Sequence, residues 1–371
     1  MRALAHIEGL ISRRTGFEHT VLTGNGTTAL FAILAACKFR GKRIAIPDNT
    51  CPSVLMAVLF SGNLPLYLDI DPRTGCVDAT HASAVKAADA AALIYPYMYG
   101  QNGNISEISR LCKRKGWVLI EDFAQAFGVD RDRAFRGDAC VLSFGAGKTV
   151  EAGHGGAAQT NSAPLRRAVE KALRLHSGSG PRQKRVEPQF SQFFKFIYNH
   201  TGSAGMTRFS KIFNDIFEIY RDDTIVGFDH AYIVQIRKNL EIFEHNRSRR
   251  LKLTRLMKKN FEDCSGLSYM SFREGSVPWR FNIFLKQEIR DIALKELLRR
   301  NLPVSSWYIP LSSICPQSGQ LVHNRVAERY GATVLNLWVN HQVDEAYCQE
   351  VPNLIRSMIK IGSSKKCALK C

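Results

Sequence analysis

The stretch that decides the fold is VLIEDFAQAFG, residues 118–128. It starts as a short apolar run, predicted as a strand over Trp117–Ile120, and ends in the acidic pair Glu121-Asp122. Immediately before it, Ile105–Lys115 reads as a helix. Its last turn is basic and Gly116 closes it, as a helix C-terminus favours. One step further out, Ala92–Tyr95 reads as a buried strand and His81–Ala87 as helical. The same alternation runs back to the N-terminal region: Leu64–Asp69 strand, Ser53–Phe60 helix, Arg43–Ile46 strand stopping at Pro47, Thr28–Cys37 helix. Downstream, Cys140–Phe144 and Ala157–Thr160 are further strands. Strands and helices exchanging at this pace predict βα units, hence an α/β fold with a mostly parallel sheet covered on both faces. In such sheets ligands sit beyond the carboxyl ends of the strands. Asp122 is predicted at that edge.

Past about residue 165 the pattern changes. HSGSGPRQKRV (176–186) is polar, glycine-bearing and basic, and reads as a loop. Residues 189–220 carry nine aromatics at spacings that suit amphipathic helices packing on the main domain or on a partner subunit. Tyr232–Phe261 reads as one long helix. Trp279–Leu285, Asp291–Arg300 and Thr333–Leu337 then suggest a smaller α+β unit. The expected division is a large domain over 1–243, with an insertion at about 176–226, and a small C-terminal domain over 244–371.

The chain has 371 residues, 45% hydrophobic and 23% charged, a composition expected of a soluble, cytoplasmic globular protein. No apolar run approaches the roughly 18 residues of a membrane span, and the first residues lack the pattern of a signal peptide. Ten cysteines occur without C-x-x-C spacing. Reduced thiols are expected rather than disulfides or a metal site. The net charge of +18 admits nucleic acid, anionic membranes or anionic substrates as partners. Arg247, Arg249, Arg250, Lys252, Arg255, Lys258 and Lys259 are predicted to form the solvated face of the long helix. Attraction of a phosphorylated substrate is the second reading for this face, and nucleic-acid binding the third.

Three segments carry chemistry. Asp122, at a strand's carboxyl end, can pair with a protonated pyridine nitrogen and make the ring an electron sink. It can equally cap the helix that follows. SFGAGK (143–148) puts Lys148 on a glycine-rich loop 26 residues after Asp122 (148 − 122). Near other cations, or in an apolar pocket, such an amine loses its proton more readily and can attack an aldehyde. The Ser143 hydroxyl can bind phosphate. GNGTTAL (24–30) is a glycine-rich turn opening a helix, whose free N–H groups suit phosphate. It is neither a P-loop nor a G-x-G-x-x-G fingerprint.

In this order the three resemble fold-type-I enzymes dependent on pyridoxal 5′-phosphate (PLP). More narrowly they are similar to the DegT/DnrJ/EryC1/StrS aminotransferases. IPDNTCPS (46–53), LYLDIDPRTG (66–75), YPYMYGQ (95–101), VLIEDFAQAFG (118–128) and GDACVLSFGAGKTVEAGHGGAAQTN (137–161) carry the likeness. It continues weakly to about residue 350. The resemblance implies a seven-stranded, mostly parallel sheet between helices and a smaller α+β domain. It implies Lys148 as the Schiff-base lysine and proton carrier, and Asp122 as partner of the pyridine nitrogen. Gln125 would stand beside the cofactor's phenolic oxygen. Ser143 and the backbone at Thr27 and Thr28 would hold the phosphate.

The implied reaction moves an amino group, from glutamate, onto a nucleotide-linked keto-sugar of polysaccharide or secondary-metabolite synthesis, in a homodimer. Neither nucleic acid nor membrane is implied. A sugar dehydratase would carry His in place of Lys148, and a non-catalytic regulatory relative would be free to lose Asp122, Gln125, Ser143 and Lys148. Two positions depart from the family's pattern. Cys51 stands where an aromatic often stacks on the cofactor. Gly227-Phe-Asp229-His-Ala replaces a Gly-Tyr-Asn-Tyr-Arg run whose Asn reaches the neighbouring subunit's phosphate. Arg182, Lys184 and Arg185 are the candidates for a cationic rim facing an anionic substrate.

Overall fold

The computed structural model describes residues 2–130, 136–175, 224–316 and 324–368. The segment 131–135, most of the 176–226 insertion including Arg182, Lys184 and Arg185, and all of the aromatic stretch 189–220 lie outside them. The main sheet has seven strands in the order β1-β7-β6-β5-β4-β2-β3. These are β1 His19–Thr23, β2 Arg43–Pro47, β3 Leu64–Leu68, β4 Ala92–Pro96, β5 Val118–Asp122, β6 Ala139–Ser143 and β7 Gly156–Thr160. β3, β2, β4, β5 and β6 pair in parallel, whereas β7 runs antiparallel to both β6 and β1. β4 is buried at every position, as a strand covered on both faces must be. The helices α2 Gly26–Ala36 and α3 Pro52–Phe60 pack on the sheet. Both are almost wholly apolar, because they are sandwiched between sheet and neighbouring elements.

The sequence reading missed β1 and the helix α1 Arg2–Thr15. β1 reads His-Thr-Val-Leu-Thr, too polar to stand out. It is held as an edge strand by five residue pairs with β7, and its Thr20 hydroxyl accepts from the buried Gln159 amide at 2.8 Å. The single long helix expected over Tyr232–Phe261 is two: α7 Ile233–Glu241 and α8 Phe243–Phe261, redirected at Ile242. The break takes the chain from one core to another. Phe243 packs edge-on against Phe127, ring centroids 5.2 Å apart, and over Gly128, where any Cβ would lie 2.1 Å from its ring. From Leu253 onward, α8 feeds a second hydrophobic cluster.

That second cluster fills a four-stranded antiparallel sheet in the order β10-β11-β9-β8. Its strands are β8 Leu267–Tyr269, β9 Arg280–Leu285, β10 Val304–Ser305 and β11 Val334–Trp338. α9 Gln287–Arg299 and α11 Glu345–Ala368 cover it. Two loops of this smaller unit return to the large core. Around Gly100, the Val277 amide donates to Gly100 O at 2.9 Å and the Trp279 amide to Tyr99 O at 2.8 Å. At the end of β2, buried Asp48 accepts from the Ser312 amide (2.7 Å), the Ser312 hydroxyl (2.6 Å) and Asn324 Nδ2 (2.7 Å). These two ties bring residues 277–280 and 307–312 to the carboxyl edge of the main sheet. No described helix is long and apolar enough to cross a membrane, and the described cysteines are free thiols.

Candidate active site

β5 and β6 end beside each other, and the N-terminus of α2 meets them. Asn25 caps α2: its side chain accepts the Thr28 amide at 2.7 Å, and its carbonyl accepts that of Ala29 at 3.1 Å. This leaves the amides of Gly26 and Thr27, on a cavity wall, for a ligand. Gly26 is closely packed: a Cβ there would lie 3.1 Å from Ser143 Cβ and 3.5 Å from its hydroxyl oxygen, so the serine would have to shift by a few tenths of an ångström. Gly156 is packed tighter still, with a Cβ position 2.5 Å from the Asn25 carbonyl carbon. The resulting cradle offers two backbone donors, a serine hydroxyl and the positive end of a helix, a set suited to a phosphate group.

The cavity is about 220 Å³ and takes in most of the predicted residues: Thr27, Cys51, Asp122, Gln125, Ser143 and Lys148. Thr28 departs from the expectation. It is fully buried and off the cavity wall; its amide serves the Asn25 cap, and its hydroxyl donates to Thr224 O (3.3 Å) and accepts from the Val226 amide (3.0 Å). Asn25, Gly26, Thr224 and Tyr97 are wall residues that sequence reasoning did not single out. The turn GNGTTAL already contained Asn25 in N-cap position, a signal for its role. Thr224 had none, since only tertiary folding lays residues 224–226 along the start of α2. Asp229 caps the turn His230–Tyr232 by accepting the Ala231 amide at 2.9 Å.

Asp122 is buried, with one carboxylate oxygen accepting the Ala124 amide at 2.8 Å. The helix expected after Asp122 does not form among the described residues; the carboxylate instead caps the turn that follows β5, and keeps its place on the cavity wall. Burial raises its pKa, opposed by the Ala124 bond and by the Lys148 charge. Lys148 is half-buried at the surface of the cavity. Desolvation lowers its pKa, Cys51 and Asp122 push back, and the Arg280 cation lowers it further. Burial thus drives both members of this pair toward their neutral forms. Gln125 is fixed at both ends: Oε1 accepts the Tyr99 amide at 2.8 Å and Nε2 donates to the Tyr308 hydroxyl at 3.0 Å. Cys51 stands at the N-terminus of α3 ahead of Pro52, with its thiol making no cap bond.

The lysine loop rests on an aromatic and cationic floor. The Lys148 amine lies 5.8 Å from the Trp279 ring centre, and the Arg280 guanidinium 4.1 Å from the same ring. Arg280 is also 3.9 Å from the Trp338 ring. Arg250 corrects the sequence reading. Lys252, Arg255, Lys258 and Lys259 do line an exposed face of α8, but Arg250 is only 3% exposed. It lies in register with Phe243, Leu253, Met257 and Phe261, the buried stripe of that helix, and this placement is the signal the sequence offered. Among the described residues, no cluster of His, Cys, Asp and Glu is placed to hold a metal ion.

Comparison with known proteins places this geometry. The model of the DegT/DnrJ/EryC1/StrS aminotransferase family matches residues 3–203. GDP-perosamine synthase of Caulobacter vibrioides is 28% identical over 187 residues, 49% of this chain and 50% of that protein. A pleiotropic regulatory protein of Geobacillus stearothermophilus is 30% identical over 181 residues, 47% of this chain and 48% of that protein. The chain thus spans about half the length of the curated relatives it matches. Among solved structures, DesI, determined in the presence of its TDP-sugar product, superposes with a TM-score of 0.78 at 20% identity, covering 100% of this chain and 88% of that one. NtdA of Bacillus subtilis with bound PMP gives 0.73 at 18%, covering 96% and 77%. These likenesses establish the fold.

Proposed function

Because the chain belongs to the DegT/DnrJ/EryC1/StrS aminotransferase family, whose model matches more than half of it, we propose that it is a PLP-dependent aminotransferase. Its acceptor would be a nucleotide-linked keto-sugar and its amino donor glutamate. The observation that carries the reading is the convergence of Lys148, Asp122, Gln125 and Ser143 with the amides of Gly26 and Thr27 on one cavity. The residues fit the cofactor: the cradle at Gly26 and Ser143 would fill with any larger side chain at position 26, and a buried carboxylate and a half-buried amine face the same space.

When bound, the cofactor supplies the electron sink that loosens the proton on the amino-bearing carbon. Gly26, Thr27 and Ser143 hold its phosphate. Asp122 holds a proton on the ring nitrogen, a cationic partner that also favours the charged form of this buried carboxylate. Gln125 offers the second hydrogen of Nε2 to the ring's oxygen, its first being held by Tyr308. The Lys148 amine, its proton loosened by burial and by Arg280, takes and returns the migrating proton.

The relatives' names and the +18 charge support an anionic, nucleotide-bearing acceptor. Arg182, Lys184 and Arg185 remain our candidates for its cationic rim, in a homodimer. Lys148 and Asp122 together speak for catalysis over the regulatory reading and over a dehydratase. Purified protein loaded with PLP is expected to absorb visible light, and added glutamate to bleach that band as 2-oxoglutarate is released in a half-reaction. A panel of nucleotide keto-sugars would then restore the starting spectrum for its true acceptor. Colourless protein with no release of 2-oxoglutarate would favour the regulatory reading.

A further inference from the structure

Arg250 is a charged side chain on the apolar stripe of a helix, and its guanidinium makes four hydrogen bonds to main-chain carbonyls. Nη1 donates to Pro278 O (3.3 Å) and Trp279 O (3.1 Å); Nη2 donates to Gly147 O (3.4 Å) and Lys148 O (3.2 Å). Two of these carbonyls have a second donor: Trp279 Nε1 reaches Gly147 O at 3.1 Å, and Arg280 Nη1 reaches Trp279 O at 2.9 Å. For Lys148 O and Pro278 O, Arg250 is the donor that matters. A planar fork with donors on two sides can span two chain segments at once, which a lysine ammonium does not do.

We propose that Arg250 is a positioning residue that clamps the Lys148 loop to the entry of β9, holding the lysine by its own carbonyl so that its amine stays over the Trp279 ring. The clamp joins three elements: the loop after β6, about a hundred residues before Arg250, the middle of α8 itself, and the Pro278-Trp279 turn, 28 residues after it. It also links the large sheet to the small one at the residue that carries the chemistry. Burial pulls Arg250 down to about 10, with Glu151 acting against the shift. The guanidinium therefore keeps its charge and all its donors at neutral pH.

The inference rests on Lys148 being the cofactor lysine, and its test separates the two claims. In apo-protein, the pH dependence of Lys148 labelling by trinitrobenzenesulfonate, resolved by peptide mapping, reports the amine's own protonation. The groups facing that amine are Asp122 from β5, Cys51 from α3 and Arg280 from β9. Neither variant replaces any of them, and Arg250→Lys also keeps the cation that acts on Arg280. Releasing the loop hydrates the amine, and in both variants the labelling midpoint is expected to move up by about one pH unit. Amide exchange at residues 145–150 and 277–280 is expected to speed up about tenfold or more, with exchange in β8, β9 and α9 beyond that turn unchanged. Should Arg250→Met fail to fold, Arg250→Lys decides, since it keeps the charge and loses the fork. A wild-type midpoint with wild-type exchange at 145–150 in a folded Arg250→Lys variant would overturn the proposal. Borohydride fixation of PLP in the wild-type protein tests the identity of the lysine separately.

Discussion

Gln125 at the edge of the large sheet donates a 3.0 Å hydrogen bond to the Tyr308 hydroxyl of the small unit, and in the same pose accepts the Tyr99 amide at 2.8 Å. A side chain held at both ends presents its remaining N–H in one direction only. Tyr308 in turn lies nearly parallel to Trp279, 10° between planes and 6.4 Å between centres. The wall that fixes Gln125 is therefore continuous with the floor under Lys148.

Tyr308→Phe should leave the ring packing intact and free one proton of Gln125. The expected costs are about 1 kcal/mol of stability and a loss of PLP affinity of up to about tenfold, because Gln125 is no longer oriented. Absorbance titration of apo-protein with PLP measures the second. Unchanged affinity would mean that Gln125 is positioned by Tyr99 alone.

Gly100 has φ +80°, and an added Cβ would lie 1.8 Å from Val277 O. Gly100→Ala must displace the segment that leads to Trp279, combining backbone strain with a main-chain clash. A loss of about 3 kcal/mol or more is expected in urea denaturation. Cofactor affinity should fall with it, since the same segment carries the ring beneath Lys148.

Lys148 should weaken the apo-fold it serves. Its folded pKa lies below 10.5, so the unfolded chain binds more protons there. The stability it contributes is present above the unfolded pKa and is lost as pH falls through the folded one. Lys148→Met should accordingly raise the melting temperature of apo-protein at neutral pH, by roughly 2–4 °C for each kcal/mol recovered. The gain should shrink toward zero above about pH 10.5. A pH-independent gain would locate the effect in packing instead.

Asp122 obeys the opposite sign. Its folded pKa is raised by burial, so its favourable contribution is complete below the unfolded value near 3.8 and is lost as pH rises through the folded one. Asp122→Asn removes the buried charge and should stabilise apo-protein modestly at pH 7. Transamination should fall by about a hundredfold or more, since an amide does not hold the ring nitrogen protonated. Near-normal turnover would remove Asp122 from the mechanism.

What could be read in advance followed from local periodicity. The central strands β2 to β6 are apolar runs bounded by turn signals, the helix closed at Gly116 is an amphipathic segment with a basic last turn, and each lies within a residue or two of its predicted place. β1 was missed because His19, Thr20 and Thr23 carry no strand alternation, and its pairing with β7 is purely tertiary. At the site, Asp122, Ser143 and Lys148 were legible because each ends or follows a strand. Gln125, Cys51 and Thr27 came from the family likeness. Thr28 was assigned to the phosphate because sequence does not show which helix amide the Asn25 side chain takes. Arg250 and Tyr308 reach the site across a hundred residues or more, and their roles exist only once α8 and the 307–312 loop have folded back. The Arg250 placement was nevertheless encoded, as an arginine in step with Phe243, Leu253, Met257 and Phe261.

The central claim is that Lys148 is the residue to which PLP attaches. Purified protein loaded with PLP, reduced with borohydride and digested should yield one peptide carrying the mass of the reduced cofactor, with the modification at Lys148 and none in the Lys148→Ala variant. Cofactor fixed to a different lysine, or no fixation in folded wild-type protein, would contradict the account.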